Sequence, residues 1–121
     1  MKFSENTPIY KQIESYFYDQ ILNESWSEGE RVPSVREVAM LMEVNPNTAI
    51  RAFQNLNEQG ILYNKRGVGY HVEKHALDKV KALKKEEFIQ EKLPIMFKYM
   101  DQLDISFTDL KEVYKSRDNK P

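Results

Sequence analysis

A mainly α fold with one small β-hairpin is what this sequence predicts, on three observations. Two helix starts stand eleven residues apart, at Ser34 and Asn45; a helical apolar period runs through most of residues 8–59; and one glycine-punctuated extended stretch follows at residues 61–72. Helix starts at that spacing leave room for one short helix and a tight turn, which is a helix-turn-helix. A hairpin directly behind such a unit is a wing. The expected architecture is a winged helix-turn-helix domain over residues 1–74, followed by a short C-terminal helical hairpin for dimerisation over residues 75–121.

The elements follow in order. Thr7 and Pro8 read as an N-cap and a first helical residue, and Ile9, Ile13, Phe17 and Ile21 recur at every fourth position, predicting a helix over about residues 8–23. Tyr10, Tyr16 and Tyr18 are expected at the edge of that stripe. Residues 25–33, with Gly29 and Pro33, break the pattern, and Trp26 among them reads as a plug of the core. Ser34 with Glu37 three positions on is a capping box, which starts a second helix over residues 35–43. Val35, Val38, Ala39 and Met42 form its apolar face, and the small Ala39 marks the close approach of a crossing helix.

Asn45 followed by Pro46 caps and opens a third helix, over residues 46–59. Ala49, Ala52, Phe53 and Leu56 face inward, while Asn47, Arg51, Gln54, Asn55 and Glu58 are expected outward. Gly60 reads as the residue that ends this helix. The β-prone runs Ile61-Leu62-Tyr63 and Tyr70-His71-Val72 then flank Asn64-Lys65-Arg66-Gly67-Val68-Gly69, a hairpin whose tip carries two bases beside two glycines.

From His75 onward lysine, glutamate and leucine dominate. Ile89, Leu93, Met96, Met100 and Leu103 are spaced 4, 3, 4, 3, the stripe of a helix packed along another helix, and Pro94 predicts a kink or break near Lys92. Ser106 with Asp109 starts a last helix striped by Phe107, Leu110 and Tyr114. Fewer than fifty residues cannot bury both stripes alone. A second copy would complete the core, so Leu77, Val80, Ile89, Leu93, Met96, Met100, Leu103, Phe107, Leu110 and Tyr114 are the expected dimerisation residues; docking back onto the winged domain is the alternative. The methionines and aromatics here fit core packing or, alternatively, the lining of a small-ligand cavity.

Composition narrows the function. A chain of 121 residues, 40% hydrophobic and 31% charged, is too short for most multi-domain enzymes. Without cysteine there is no disulfide and no thiolate metal site. No run approaches the ~18 apolar residues of a membrane span and no leader is evident, so a cytoplasmic protein with no membrane association is expected. The carboxylates fall on solvent-facing helix positions, and no nucleophile or acid–base pair is apparent, so neither enzyme activity nor a cofactor is expected. His71 and His75 are four apart but straddle a strand end, which removes the geometry of a helical metal pair.

The formal net charge is −1, and residues 1–74 hold eight basic side chains (Lys2, Lys11, Arg31, Arg36, Arg51, Lys65, Arg66, Lys74) against ten acidic ones. Their distribution matters more than the sum. Residues 44–57 contain no acid and one base, Arg51, while residues 64–72 contain Lys65 and Arg66 and no acid. A phosphate backbone would meet a local positive surface on an acidic body. Asn47 and Thr48, in the first turn of the third helix, bring side chains able to hydrogen-bond base edges. Double-stranded DNA is the leading partner, and Ser34, Arg36, Asn45, Asn47, Thr48, Arg51, Lys65, Arg66, Gly67 and Gly69 are the candidate DNA-binding residues.

Pro8-Ile9-Tyr10-Lys11-Gln12-Ile13, Gly29, Val32-Pro33-Ser34-Val35-Arg36-Glu37-Val38-Ala39, Asn45-Pro46-Asn47-Thr48 and Arg66-Gly67-Val68-Gly69-Tyr70 together resemble the GntR family of bacterial winged-helix repressors, over about residues 8–73. The Asn-Pro-Asn-Thr element and the tail, including Leu103-Asp104-Ile105-Ser106, are similar to the YtrA-like subgroup. That resemblance implies a homodimer without a dedicated effector domain, acting on genes for ABC transporters. It places DNA contacts at Arg36, Asn47, Thr48 and Arg66-Gly67. Pro46 and Ile50 stand where many members have arginine, which implies base readout by amide, hydroxyl and apolar contact, with Ile50 either at a thymine methyl or packed at the helix edge. Glu24 and Glu43 stand where glycine is frequent, and the fold is expected to tolerate both.

The expected function is thus a sequence-specific transcriptional regulator, a repressor, binding a two-fold symmetric operator as a homodimer. A winged helix used for protein contact is the alternative, and RNA is a weaker one, because the wing lacks clustered exposed aromatics for base stacking.

Overall fold

The computed structural model describes residues 7–117. Lys2 and the outer ends of both expected domains, residues 1–6 and 118–121, lie outside the described residues. The chain divides into two units, Met1–Leu83 and Lys84–Pro121. That division falls inside a helix, nine residues beyond the boundary expected after residue 74.

In the first unit, α1 (Ile9–Leu22), α2 (Val35–Met42) and α3 (Pro46–Glu58) precede β1 (Leu62–Lys65) and β2 (Gly69–Val72). Pro8, not Thr7, occupies the cap position of α1, and its carbonyl accepts from the Lys11 and Gln12 N–H groups. Ile13, Phe17 and Ile21 are buried as their spacing predicts, whereas Ile9 stays 48% exposed. Ala49, Ala52, Phe53 and Leu56 on α3 are fully buried, and Val38 and Ala39 of α2 pack in the same core. Small residues on both helices let α2 and α3 cross closely.

Aromatic contacts, two edge-to-face and one tilted, hold this core together. Phe17 of α1 meets Phe53 of α3 at 5.1 Å between ring centroids, Phe53 meets Tyr70 of β2 at 4.8 Å, and Trp26 caps Phe17 at 4.9 Å. Trp26 is the core plug its loop position suggested. At the α1–α3 edge, Glu14 is buried and accepts from the Asn55 amide at 3.1 Å and the Tyr18 hydroxyl at 3.4 Å. Asn55, expected on the outward face, is therefore half-buried and committed to helix packing.

The hairpin is antiparallel, with Leu62 opposite Val72, Tyr63 opposite His71, Asn64 opposite Tyr70 and Lys65 opposite Gly69. The segment read as a plain loop adds a third line of pairing. The Val32 N–H donates to the Tyr70 carbonyl, and the Gly29 N–H to that of Val72, which bridges Arg31 to His71. α4 (Ala76–Glu87) then returns to the core: Ala76 and Val80 are buried, and Leu77 packs against the same cluster. Val80 is fully buried in the first unit and Leu77 half-buried, so the structure does not offer them as a dimer surface. The Lys79 ammonium donates to the Gly60 carbonyl at the C-terminus of α3, where a positive charge is favoured.

In the second unit, a π-helical turn, Phe88–Lys92, precedes α5 (Leu93–Gln102). The Leu93 N–H reaches back to the Phe88 carbonyl, a wide turn just before Pro94, which has no N–H to give. This is the break expected near Lys92. α6 (Phe107–Ser116) carries the predicted capping box of Ser106 and Asp109, both bonds 3.0 Å. No residue of α5 or α6 is buried. Leu93, Met96, Met100 and Leu110 are half-buried, while Ile89, Leu103, Phe107 and Tyr114 are exposed.

Four helix ends close in one way. After α1, α2, α3 and α5, a residue in the left-handed region (Glu24, Glu43, Gly60 and Asp104) is followed by one whose N–H donates to a carbonyl five positions back. Only one of the four is glycine. Glu43, at φ 54°, bears the steric cost of a Cβ in that conformation. Glu43→Gly should stabilise the protein by up to about 1 kcal/mol, after the greater freedom of glycine in the unfolded chain is subtracted; an unchanged or lower urea midpoint would contradict this.

Candidate nucleic-acid interface

Among the described residues of the first unit, Arg36 of α2, Arg51 of α3 and Lys65 and Arg66 of the wing are all exposed. The candidate site begins at the start of α3. The Asn45 side chain accepts from the Asn47 N–H at 2.8 Å, and Pro46 occupies the first turn. Asn45 is thus spent on the cap, and its action is to aim the helix. Asn47 is exposed and Thr48 half-buried, both in that first turn, with Arg51 exposed one turn further on. Ile50 is 39% exposed beside them. Polar hydrogen-bonding groups and one apolar side chain therefore share the leading end of a helix that carries no acid before Glu58.

The start of α2 supplies the second part. The Ser34 hydroxyl accepts from the Glu37 N–H and the Glu37 carboxylate from the Ser34 N–H, both at 3.1 Å. Ser34 is committed to this cap, which leaves the adjacent Arg36 exposed in the first turn. The Ser34 N–H and then its hydroxyl hold the Glu37 carboxyl below the ordinary glutamate range, with a smaller contribution from the charge of Arg31, against slight desolvation.

The wing is the third part. Lys65 and Arg66 are exposed at its tip, where the Val68 N–H closes a turn onto the Lys65 carbonyl and Gly67 sits at φ 79°. Nothing lies within 4 Å of where a Gly67 Cβ would stand, so the backbone there is open to a close-lying ligand. Gly69 differs. A Cβ on it would come within 3.2 Å of Arg31 Nε, so its role is to seat the arginine against the wing. Tyr63 and His71 stack across the strands at 5.4 Å and stiffen the hairpin.

Arg31 is the basic residue that the sequence did not single out. Pairing of its segment with β2 carries it to the wing, and its charge reaches Glu37 at the start of α2. A three-residue extended stretch beside Pro33 offers no alternation to read, and only its position before Ser34 hinted at it. Tyr10 is the other addition: the Arg51 guanidinium carbon lies 3.9 Å from its ring centroid. Among the described residues no cluster of three metal-ligating side chains occurs. His71 Nδ1 lies 3.0 Å from the Gly69 carbonyl, inside the wing. No helix among the described residues is long and apolar enough to cross a membrane.

Residues 9–72 match the family described as "Bacterial regulatory proteins, gntR family". The uncharacterized HTH-type transcriptional regulator YhcF of Bacillus subtilis (strain 168) is 29% identical over 117 residues, which cover 95% of this chain and 93% of that protein. The HTH-type transcriptional repressor YtrA of the same organism is 37% identical over 71 residues, 59% of this chain and 55% of YtrA. The chain spans only 14% of another B. subtilis regulator, YisV, at 37% identity. Among solved structures, a GntR-family regulator from Bacteroides thetaiotaomicron superposes with a TM-score of 0.76 at 35% identity, covering 92% of this chain and 96% of that one.

The Glu37 shift has a consequence for pH. Because the fold favours the ionised carboxylate, its contribution is present at neutral pH, above the unfolded glutamate value, and is lost as pH falls through the lowered folded value. Glu37→Gln keeps the cap geometry without the charge. The stability gap between wild type and Glu37→Gln in thermal melts should therefore narrow between pH 7 and about pH 3; a gap independent of pH would remove the charge from the cap's action.

Proposed function

The chain belongs to the GntR family of bacterial regulatory proteins, and on that premise we propose that it is a repressor which binds a two-fold symmetric DNA operator as a homodimer. Members of the family are non-enzymatic DNA-binding regulators. The observation that carries the reading is the acid-free leading end of α3, capped by Asn45, in a domain that also exposes Arg36 and the basic wing tip.

In this reading, α3 enters the major groove. Asn47 and Thr48 contact base edges, Ile50 lies toward a thymine methyl, and Arg36 grips phosphate or guanine at the groove edge. Lys65 and Arg66 hold flanking phosphates, and the bare backbone at Gly67 admits one closely. Ser34, Asn45 and Gly69 act through position: two caps and the seat of Arg31. Arg31 adds a positive charge between wing and α2.

The homodimer would form through the residues after α4. Ile89, Leu103, Phe107 and Tyr114 leave apolar surface exposed in the single chain, and Leu93, Met96, Met100 and Leu110 are only half covered, which a second copy would bury. A dimer would hold two recognition helices about 34 Å or a multiple apart. Similarity to YtrA makes ABC transporter genes the first targets to examine, and the cytoplasm is the compartment this activity requires.

Arg36→Ala should weaken binding to a duplex selected by the protein by roughly 1–3 kcal/mol if the contact is bidentate, and an unchanged mobility-shift titration would remove Arg36 from the site. Replacing both Lys65 and Arg66 by alanine should flatten the slope of log K against log salt by about two units. An unaltered slope would return the wing tip to solvent.

A further inference from the structure

Arg51 is the one charge on an acid-free helix face, yet it is not free to wander. Its guanidinium carbon lies 3.9 Å from the centroid of the Tyr10 ring, on a side chain forty-one positions earlier in the sequence. Tyr10 is half-buried and packs against the core, so the ring itself is held in place. A guanidinium lying on a ring face keeps its N–H groups in its own plane, pointing away from the ring. Stacking thus fixes the long side chain without using a single donor.

We propose that Tyr10 is a positioning residue for DNA binding, which preorganises the Arg51 guanidinium to donate to a phosphate or base at the groove edge. The proposal rests on the DNA-binding reading above. An arginine that must be ordered on binding loses rotamer freedom at that moment, whereas one already stacked has lost it on folding. Cation–π attraction at an exposed site is of the size that sets such a preference. The phenolic hydroxyl has no part in it, because the ring face does the holding.

Two readouts test the idea on the full chain. The first needs no DNA: the ring current of Tyr10 should shift the Arg51 Nε–H proton resonance of the free protein, and Tyr10→Leu should abolish that shift. The second uses a duplex of about 30 base pairs and arbitrary sequence at low salt, where phosphate contacts dominate. Tyr10→Leu should weaken binding by about two- to fivefold, Tyr10→Phe should rescue it, and Tyr10→Leu should cost nothing further once Arg51 is replaced by methionine. Melting curves of all variants show that each is folded at the assay temperature.

An Nε–H signal indifferent to Tyr10→Leu, an equal loss in both Arg51 backgrounds, or no loss at all would each overturn the proposal. If wild type binds neither this duplex nor selected fragments while the ring-current shift persists, the DNA-binding reading falls and takes this role for the stack with it. Loss of coupling alone, with wild-type binding intact, overturns only the role of Tyr10.

Discussion

The packing of Phe53 between Phe17 and Tyr70 is the contact on which the rest of this winged domain depends. Its ring touches α1 on one side and β2 on the other, with centroid separations of 5.1 and 4.8 Å. Phe53 itself belongs to α3. One buried side chain therefore fixes the recognition helix to the scaffold helix and to the wing at once. Large aromatic rings in a close-packed core resist independent movement of the elements they join. The polar residues at the start of α3 and the basic residues at the wing tip are consequently presented by a single rigid body, as a site that must fit a preformed helical ligand requires.

Around that centre, capping chemistry decides where each helix begins, and left-handed turns decide where it stops. Ser34 and Asn45 set two helix starts, and each spends its side-chain oxygen on a backbone N–H group. In the DNA-binding reading proposed above, the contacting groups are the nearby Arg36, Asn47 and Thr48. Residues that aim and residues that touch are thus separate, and a list of candidates by type alone merges them. The same separation holds at the wing, where Gly67 leaves space and Gly69 seats Arg31.

Much of this was legible in the sequence because caps, glycines and apolar periods are local signals. The capping boxes at Ser34 and Ser106, the Asn45-Pro46 start, the hairpin and the break before Pro94 all follow from residues close together in the chain. The features that were not legible depend on distant partners. Asn55 looked outward on a helical wheel, and only the carboxylate of Glu14, buried on α1, draws it inward. Val80 sits in the lysine- and glutamate-rich tail, where its sequence places it at a dimer surface, although the core of the first unit covers it fully. Arg31 gains its place from pairing with β2, and Arg51 from Tyr10, across separations no local pattern encodes.

The central claim is that α3 and the wing act together on one duplex, in two copies. Hydroxyl-radical footprinting of the protein on a duplex it has itself selected tests this most directly. Two symmetric protected zones, centred about 10 base pairs or a multiple apart, each with backbone protection flanking a major-groove segment, are the predicted result. A single asymmetric zone, or protection without any helical repeat, would contradict it.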